Sequence, residues 1–280
     1  MPQTGTKRKE EEFTAAASLD RTPRVAIIPS DFNGSEEHDG SRINGLARPQ
    51  PGDVELRAEQ LQDWIGTALQ HIGKRANTQP RLFGPDEWVL VIADASFPPT
   101  LLEALVGYLA RHRLGLRFTV ACGAPLDGLR KRFPRQQFDS VNLSEEAVVK
   151  LPAPRNQAQV LEVPQTLQQC DRVVSLAALG AEASTLRNYA AFARDTANWL
   201  DLARFHPPDL ALAGSLRPNL AVAGTGALSV DAVAAAVVAT PLAWFARAEK
   251  LGLGVADTDA IWTRGMEIED ASYYARSRFR

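Results

Sequence analysis

Cysteine, histidine and an excess of charge of one sign are scarce in this 280-residue chain. It has two cysteines and four histidines, and 31 basic side chains stand against 33 acidic ones, for a formal net charge of -2. Cys122 and Cys170 are too few to hold an iron–sulfur cluster or a closed structural zinc site, so we expect neither from this chain alone, and the sequence indicates no particular cofactor. The balance of charge argues against a nucleic-acid partner, which calls for a basic surface.

The sequence also lacks an apolar run of membrane-spanning length. Its longest run, residues 232–246, is interrupted by Pro241 and falls short of the roughly 20 residues that a spanning helix needs. The chain begins with polar residues rather than an apolar leader, and its cysteines provide no disulfide framework. We therefore expect a cytoplasmic protein with no membrane partner.

Hydrophobic residues make up 45% of the chain and charged residues 23%, the proportions of a globular protein with a large core. Residues 1–24 differ, because the basic block Lys7–Lys9 is followed by the acidic block Glu10–Glu12 and apolar residues are few. This composition predicts a flexible N-terminal tail. We expect residues 25–280 to form a single α/β domain, or two lobes that meet near residues 124–160, where the pattern is mixed and polar.

Short apolar runs alternate with helical patterns along the rest of the chain. Trp88 to Ala93 is continuously apolar, as in a parallel strand covered on both faces. A helix at 101–109 and a strand at 116–122 follow it, and such a strand–helix–strand unit closes as a right-handed crossover in a parallel sheet.

The same criteria predict the remaining elements. We expect strands at 24–28, 148, 172–177, 210–213 and 220–223, the first of them at a sheet edge, and helices at 61–72, 126–133, 184–205 and 230–251, the last broken at Pro241. The chain is therefore predicted to be an α/β protein with a mostly parallel sheet flanked by helices in three layers, α/β/α.

Asp94 is a candidate functional residue because ligands of open parallel sheets bind outside the carboxyl ends of the strands. It directly follows the apolar run 88–93. Its carboxylate suits a catalytic base or a metal ligand, and the alternative is a loop aspartate that caps nearby amides. Cys122 follows the next strand and is a nucleophile only if a cation or a helix N-terminus favours its thiolate. A buried cysteine is the alternative there, and packing is the better interpretation of Cys170.

Gly224, Thr225 and Gly226 precede a predicted helix whose first residues include Ser229 and Asp231. Glycine lets backbone N–H groups approach an anion closely, and a helix N-terminus favours negative charge. These residues form a candidate anion site, with Asp231 as a candidate catalytic group. The alternative is a tight turn in which Ser229 is the helix N-cap and Asp231 stabilises the helix dipole.

Arg187 and Asn188 are the second candidate for ligand binding. A guanidinium group clamps an anion through two parallel hydrogen bonds, and an amide adds a fixed donor beside it. Both residues lie in the predicted helix at 184–205, where a solvated helix face is the alternative interpretation. If they share one anion site with residues 224–231, the two segments must lie close together.

Several segments resemble the domain of unknown function 362 family of bacteria and archaea. The pieces of the C-terminal half, in order, are residues 208–213, 228–235 and 251–257 and Gly265, and the first and second core strands of the family resemble residues 86–92 and 163–176. The similarity covers most of residues 54–270. Members of the family are often joined to ferredoxin-like modules that carry iron–sulfur clusters, and their reactions are mostly unassigned. This sequence has no such module.

This sequence departs from the family pattern at positions where the family carries polar groups. The family shows Lys-Pro-Asn after its first strand, where this chain has Ala93–Asp94–Ala95. It shows Pro-Lys-Leu-Lys-x-His after its second strand, where this chain has the apolar residues 176–181. The later Leu-Lys-Asn appears as Leu186–Arg187–Asn188, which keeps the cation and the amide. The resemblance therefore implies a ligand site that has lost several polar groups.

Two functions fit these observations, and whether the chain is an enzyme stays open. The first is a binding or accessory protein for a redox or biosynthetic enzyme, with a depleted ligand site. The alternative is an enzyme acting on a small anionic substrate, with Asp94, Arg187, Asn188 and Asp231 around a crevice at the carboxyl ends of the strands. The amphipathic segment 271–280 fits either a partner contact or a docked terminal helix.

Overall fold

The computed structural model describes residues 23–30, 56–72, 82–112, 115–121, 127–153, 159–180, 184–195, 199–240 and 242–276. Cys122, Pro241 and all but the last two residues of the predicted N-terminal tail lie outside the described residues. The predictions for them stay predictions. The proposed domain division also stays a prediction.

Ten strands are present in the described part of the chain. They are β1 Arg24–Pro29, β2 Trp88–Ala93, β3 Arg117–Ala121, β4 Gln137–Ser140, β5 Val148–Pro152, β6 Val160–Pro164, β7 Arg172–Ala178, β8 Leu210–Leu216, β9 Asn219–Gly224 and β10 Trp262–Gly265. Eight of them form one sheet in the order β10-β1-β9-β8-β7-β2-β3-β4, and β5 pairs with β6 in a separate antiparallel ribbon. In the large sheet β9 is antiparallel to both of its neighbours, and every other pairing is parallel.

Helices cover both faces of this sheet. They are α1 Ala58–His71, α2 Pro99–His112, α3 Asp127–Arg132, α4 Gln165–Gln169, α5 Trp199–Phe205, α6 Ala227–Val237, α7 Phe245–Lys250 and α8 Ile268–Arg276, with short 3-10 helices at Arg187–Ala191 and Thr258–Ala260. None of the helices in the described ranges combines the length and the apolar character needed to cross a membrane.

The core is divided between the two faces by the alternation of side chains along each strand. In β2, Val89 and Val91 belong to the core on the face covered by α1 and α2, whereas Leu90 and Ile92 belong to the core on the other face, which includes residues of α6 and α8. Trp64 of α1 also donates a hydrogen bond from Nε1 to the carbonyl of Ile28, at 3.0 Å, which fixes that helix on β1. The predicted three-layer α/β/α fold is confirmed.

Ion pairs hold the amino ends of the central strands together. Arg172, the first residue of β7, lies 3.1 Å from Glu87 beside β2 and 2.8 Å from Asp209 beside β8. Asp209 also accepts a hydrogen bond from the backbone N–H of Val173, at 2.9 Å. Because this edge is occupied by side chains that bond to one another, the opposite edge, at the carboxyl ends of the parallel strands, is the one with room for a ligand.

Two predictions about elements are wrong. The strand at 24–28 is not an edge strand, because β1 lies between β9 and β10 and its residues from Val25 to Pro29 are buried. The long helix at 184–205 is replaced by the 3-10 helix Arg187–Ala191 and the shorter α5. In that segment the backbone and side chains bond to β7 and α6, as described below, instead of continuing a helical ladder.

Gly265 at the end of β10 is held against β1 in a conformation that needs glycine. Its φ is +91°, and a Cβ atom there would lie 2.4 Å from the carbonyl oxygen of Ile27. Gly252 has a similar φ of +76°, but a Cβ there would meet nothing within 4 Å. A substitution at Gly252 therefore introduces backbone strain alone, whereas one at Gly265 introduces strain together with a steric collision.

We predict that Gly265→Ala destabilises the protein substantially more than Gly252→Ala. Gly252→Ala, the control, should lose roughly 1–2 kcal/mol of unfolding free energy, the cost of a left-handed conformation for an L-residue. Gly265→Ala should lose this and a further amount, because Cβ displaces β1 from its pairing with β10. Urea unfolding measures both losses, and equal midpoints for the two variants would contradict this account of the β1–β10 contact.

Candidate functional site

A cavity of about 1080 Å³ lies at the carboxyl ends of four parallel strands. Its walls include Asp94 after β2, Ala121 of β3, Ser140 of β4 and Ala178 of β7. Residues 184–192 close one side, and Ser184, Arg187 and Asn188 belong to that wall. The structure therefore brings together three of the predicted site residues, Asp94, Arg187 and Asn188, at the sheet edge where a ligand was expected.

Asp94 and Asn188 are bonded to the same carbonyl oxygen. The backbone N–H of Asp94 and the side-chain Nδ2 of Asn188 donate to the oxygen of Leu176, at 2.9 and 2.8 Å. Nδ2 of Asn188 also donates to Oγ of Ser175, at 2.9 Å. The Asn188 amide is therefore fixed in the cavity wall. Asp94 Oδ1 accepts from the N–H of Ser96, at 2.9 Å, so the carboxylate also serves as the loop cap that was its alternative role.

Asp231 lies behind this wall instead of in the cavity. It is fully buried on α6, and its carboxylate accepts four hydrogen bonds. Ser184 Oγ and the N–H of Leu186 donate to Oδ2, at 2.8 and 3.0 Å. The N–H and Oγ1 of Thr185 donate to Oδ1, at 2.6 and 2.9 Å. The residue predicted as a catalytic candidate is thus a structural anchor for the segment that carries Arg187 and Asn188.

Burial raises the pKa of Asp231 from 3.8 to about 6. The hydrogen bonds from Leu186, Thr185 and Ser184 act in the opposite direction, because each donor stabilises the ionised form. Burial has the larger effect, so this carboxylate is mostly ionised only above about pH 6.

Gly224, Thr225 and Gly226 lie at the opposite end of the sheet from the cavity. Gly224 pairs with Val25 and with Ala211, the second residues of β1 and β8. Because β9 is antiparallel to both strands, its carboxyl end lies at their amino ends. The structure therefore does not bring these residues together with Arg187, and the single anion site predicted from the two segments is not formed.

The N-cap predicted at Ser229 is also wrong. Gly226 is the N-cap residue of α6, and Ser229 lies inside the helix, fully buried. Its Oγ donates a hydrogen bond to the carbonyl of Val255, at 2.9 Å. Ser229 therefore joins α6 to the chain beyond α7 and does not face the cavity.

The described wall of the cavity offers mainly neutral hydrogen-bonding groups. Asp94 and Arg187 are its ionisable side chains within the described ranges, and Arg187 is exposed. The other polar members are hydroxyls and amides: Ser96, Ser140, Asn142, Ser144, Ser184 and Asn188. Sequence reasoning missed Ser140, Asn142 and Ser144, since β4 is a four-residue strand with one buried side chain and has no apolar run. Their alternate spacing directly after that strand was the available signal.

Cys170 and His206 lie close to each other, outside the cavity wall. Sγ of Cys170 lies 3.8 Å from Nδ1 of His206. The same Nδ1 lies 2.9 Å from the carbonyl oxygen of Leu167. Burial, together with the charge of Asp209, raises the pKa of the Cys170 thiol to about 12, so the thiolate is disfavoured. Among the described residues, no three His, Cys, Asp or Glu side chains are grouped to hold a metal ion.

Comparisons with known proteins do not identify a family. No family model matches the chain, and no curated protein matches it. A lactate racemase apoprotein from Thermoanaerobacterium thermosaccharolyticum is structurally similar at 15% sequence identity and a TM-score of 0.36, over 59% of this chain and 52% of the racemase chain. The match thus spans about half of the racemase, and a likeness this small carries no argument about function.

We predict that the difference in unfolding free energy between wild type and Asp231→Asn increases as the pH falls. The folded pKa of about 6 lies above the unfolded value of 3.8, so the contribution of this group is fully present below the unfolded value and is lost as the pH rises through the folded one. Between about pH 7 and pH 4.5 the gain for the wild type relative to the variant should be about 2 kcal/mol. Urea titrations across this range measure it.

The pH dependence of all other groups is common to wild type and Asp231→Asn, so it cancels in the difference between their unfolding free energies. A difference that decreases on acidification would mean that the four hydrogen bonds outweigh burial and that the folded pKa lies below 3.8.

Proposed function

We propose that this chain is a binding protein, accessory to a redox or biosynthetic enzyme, that holds a small anionic ligand in the cavity at the carboxyl ends of its parallel strands. The observation that carries the proposal is the position of Arg187 and Asn188. Both lie in the cavity wall, one with an exposed guanidinium group and the other with an amide fixed by two hydrogen bonds. A guanidinium group is suited to a carboxylate or an oxyanion. Asn188 donates both of its amide protons to Leu176 and Ser175, so it fixes the wall beside Arg187 and does not itself donate to the anion.

The positions of the family departures support a depleted ligand site. Ala93, Asp94 and Ala95 line the cavity, and so do Ala178 and Gly180 from the apolar stretch after the second core strand. The retained cation and amide of Leu186–Arg187–Asn188 line it as well. All three segments in which the resemblance to the domain of unknown function 362 family carries polar groups therefore meet at one cavity, and we keep membership of that family as part of the proposal.

The composition of the wall supports a ligand of low charge. One arginine compensates one anionic group, whereas hydroxyls and amides bind a neutral polar body by hydrogen bonds. The amino end of α2, which begins at Pro99 just after Ser96, lies at the same edge of the sheet and favours negative charge there. A volume of about 1080 Å³ accommodates a molecule the size of a common metabolite or cofactor fragment.

An enzyme acting on a small anionic substrate is the second candidate. The observation in its favour is that Asp94 is half-buried in the same cavity as Arg187, a position from which a carboxylate can accept a proton from a bound substrate. The two functions differ in what leaves the cavity: a binding protein returns its ligand unchanged.

We predict that Arg187→Ala weakens the binding of a small oxyanion and that Arg217→Ala does not. Arg217 is an exposed arginine outside the cavity wall and is therefore a matched control for loss of surface charge. With sulfate as the probe, the affinity of Arg187→Ala should fall at least about tenfold, the value of a charge-assisted hydrogen bond. Isothermal titration calorimetry measures it, and equal sulfate binding by wild type and Arg187→Ala would refute the site.

We predict that small molecules from an extract of the native host bind to the wild-type protein and are recovered unchanged by mass spectrometry after prolonged incubation. Asp94→Asn is the matched variant, since it removes the carboxylate and keeps the shape of the side chain. A product that appears with the wild type and disappears with Asp94→Asn would instead establish the enzymatic alternative and identify Asp94 as its acid or base.

A further inference from the structure

The wall segment 184–188 is attached to α6 through one buried carboxylate. Asp231 of α6 accepts hydrogen bonds from Ser184, Thr185 and Leu186, as given above. The carbonyl of Thr185 in turn accepts from Oγ of Ser175 on β7, at 2.6 Å. The segment is therefore clamped between α6 and the sheet.

Both ligand-binding candidates are one hydrogen bond away from residues in this clamp. The N–H of Arg187 donates to Oγ of Ser184, at 2.9 Å, and that hydroxyl itself donates to Asp231. Asn188 donates to Oγ of Ser175, at 2.9 Å, and that hydroxyl donates to Thr185. The chain of bonds from the carboxylate to the cavity wall is continuous on both sides.

Each oxygen of the Asp231 carboxylate accepts from one backbone N–H, which can only donate, and from one hydroxyl, which can also accept. An ionised group accepts at both oxygens, whereas a protonated group turns one acceptor position into a donor. Protonation of either oxygen therefore places an O–H where the protein supplies an N–H and a hydroxyl donor, and the hydroxyl bond there must reverse or break. The segment then loses part of its attachment to α6.

The immediate surroundings of Asp231 are neutral, and burial is the main cause of its raised pKa. None of the charged side chains on the elements packed against α6 contributes to that shift. Those side chains lie at the surface or are half-buried: Arg24 of β1, Arg247, Glu249 and Lys250 of α7, Asp259 of the second 3-10 helix, and Glu269, Asp270 and Arg276 of α8. The α8 tyrosines, exposed Tyr273 and buried Tyr274, do not contribute either. Arg187 faces the cavity on the other side of the segment.

We propose that Asp231 is a positioning residue for the cavity, and that its ionised carboxylate holds the segment of Arg187 and Asn188 in the arrangement in which Arg187 binds an anion. The proposal rests on the function proposed above and adds its regulation: the affinity for an anionic ligand falls when Asp231 is protonated, in the mildly acidic range. By reciprocity, a bound anion favours the ionised form of Asp231.

A pH titration followed by nitrogen–proton NMR tests the coupling without any ligand. The backbone amides of Thr185 and Leu186 should titrate with a midpoint near pH 6, the pKa of the carboxylate they contact. The side-chain amide of Asn188 should follow with the same midpoint, and all three responses should be absent from Asp231→Asn. If Thr185 and Leu186 titrate and Asn188 does not, Asp231 is a local anchor only and the proposal is overturned.

A milder variant covers the case in which Asp231→Asn does not fold. Thr185→Val removes one hydroxyl donor from the carboxylate and keeps the other three bonds. Because that donor stabilises the ionised form, the midpoint sensed by Leu186 should move to higher pH. An unchanged midpoint would show that the bond does not influence the carboxylate.

The affinity for sulfate as a function of pH tests the regulation. Sulfate stays ionised across the range, so its own protonation does not contribute. Wild-type affinity should weaken roughly tenfold between about pH 7.5 and pH 5, which corresponds to about one lost hydrogen bond. Asp231→Asn should bind weakly at both values, and Asp209→Asn, which removes a structural carboxylate at the other end of the sheet, should behave like the wild type.

The outcomes separate the two proposals. If sulfate fails to bind the wild type at any pH, the proposed anion-binding function fails, and the NMR titration still decides the role of Asp231. If sulfate binds through Arg187 and the wild type and Asp231→Asn weaken equally on acidification, the function stands and the positioning role is wrong.

Discussion

The arrangement of the cavity depends on one interaction, the acceptance of four hydrogen bonds by a carboxylate that is fully buried in α6. An isolated buried charge is costly, and one that accepts several donors is tolerated. The donors of this carboxylate are concentrated in three consecutive residues, Ser184, Thr185 and Leu186. A helix that packs on the sheet thereby determines the course of a segment that otherwise has little regular structure, and the cavity wall follows from that course.

The direction of β9 is the second constraint. Most elements were predictable from local sequence patterns. A strand covered on both faces has a continuous apolar run, as in β2, β7 and β9, and an amphipathic helix has apolar residues at a 3.6-residue period, as in α1. Local pattern does not record strand direction. Gly224–Gly226 follows its strand just as Asp94 does, and only the antiparallel pairing of β9 places it at the opposite edge from the cavity.

The site could be predicted in part for the same reason. Asp94 was a candidate because it follows an apolar run, and Arg187 and Asn188 were candidates by their residue types alone. The role of Asp231 could not be predicted, because it depends on contacts with residues about 45 positions away in the chain. The sequence predicted that Ser184 and Thr185 begin a helix. In the structure their hydroxyls and the N–H of Thr185 donate hydrogen bonds to Asp231 of α6. The result, in the described part of the chain, is a wall of hydroxyls and amides with one arginine and one aspartate.

Mapping of sulfate-induced shifts of backbone and side-chain amide resonances in the wild-type protein at neutral pH shows directly whether an anion binds in this cavity. The account predicts that the shifted resonances are those of residues 94–96, of Ser184, Arg187 and Asn188, and of residues 140–144 across the cavity. Shifts confined to Gly224, Thr225 and Gly226, at the amino end of the sheet, would contradict it and would place the anion site at the start of α6.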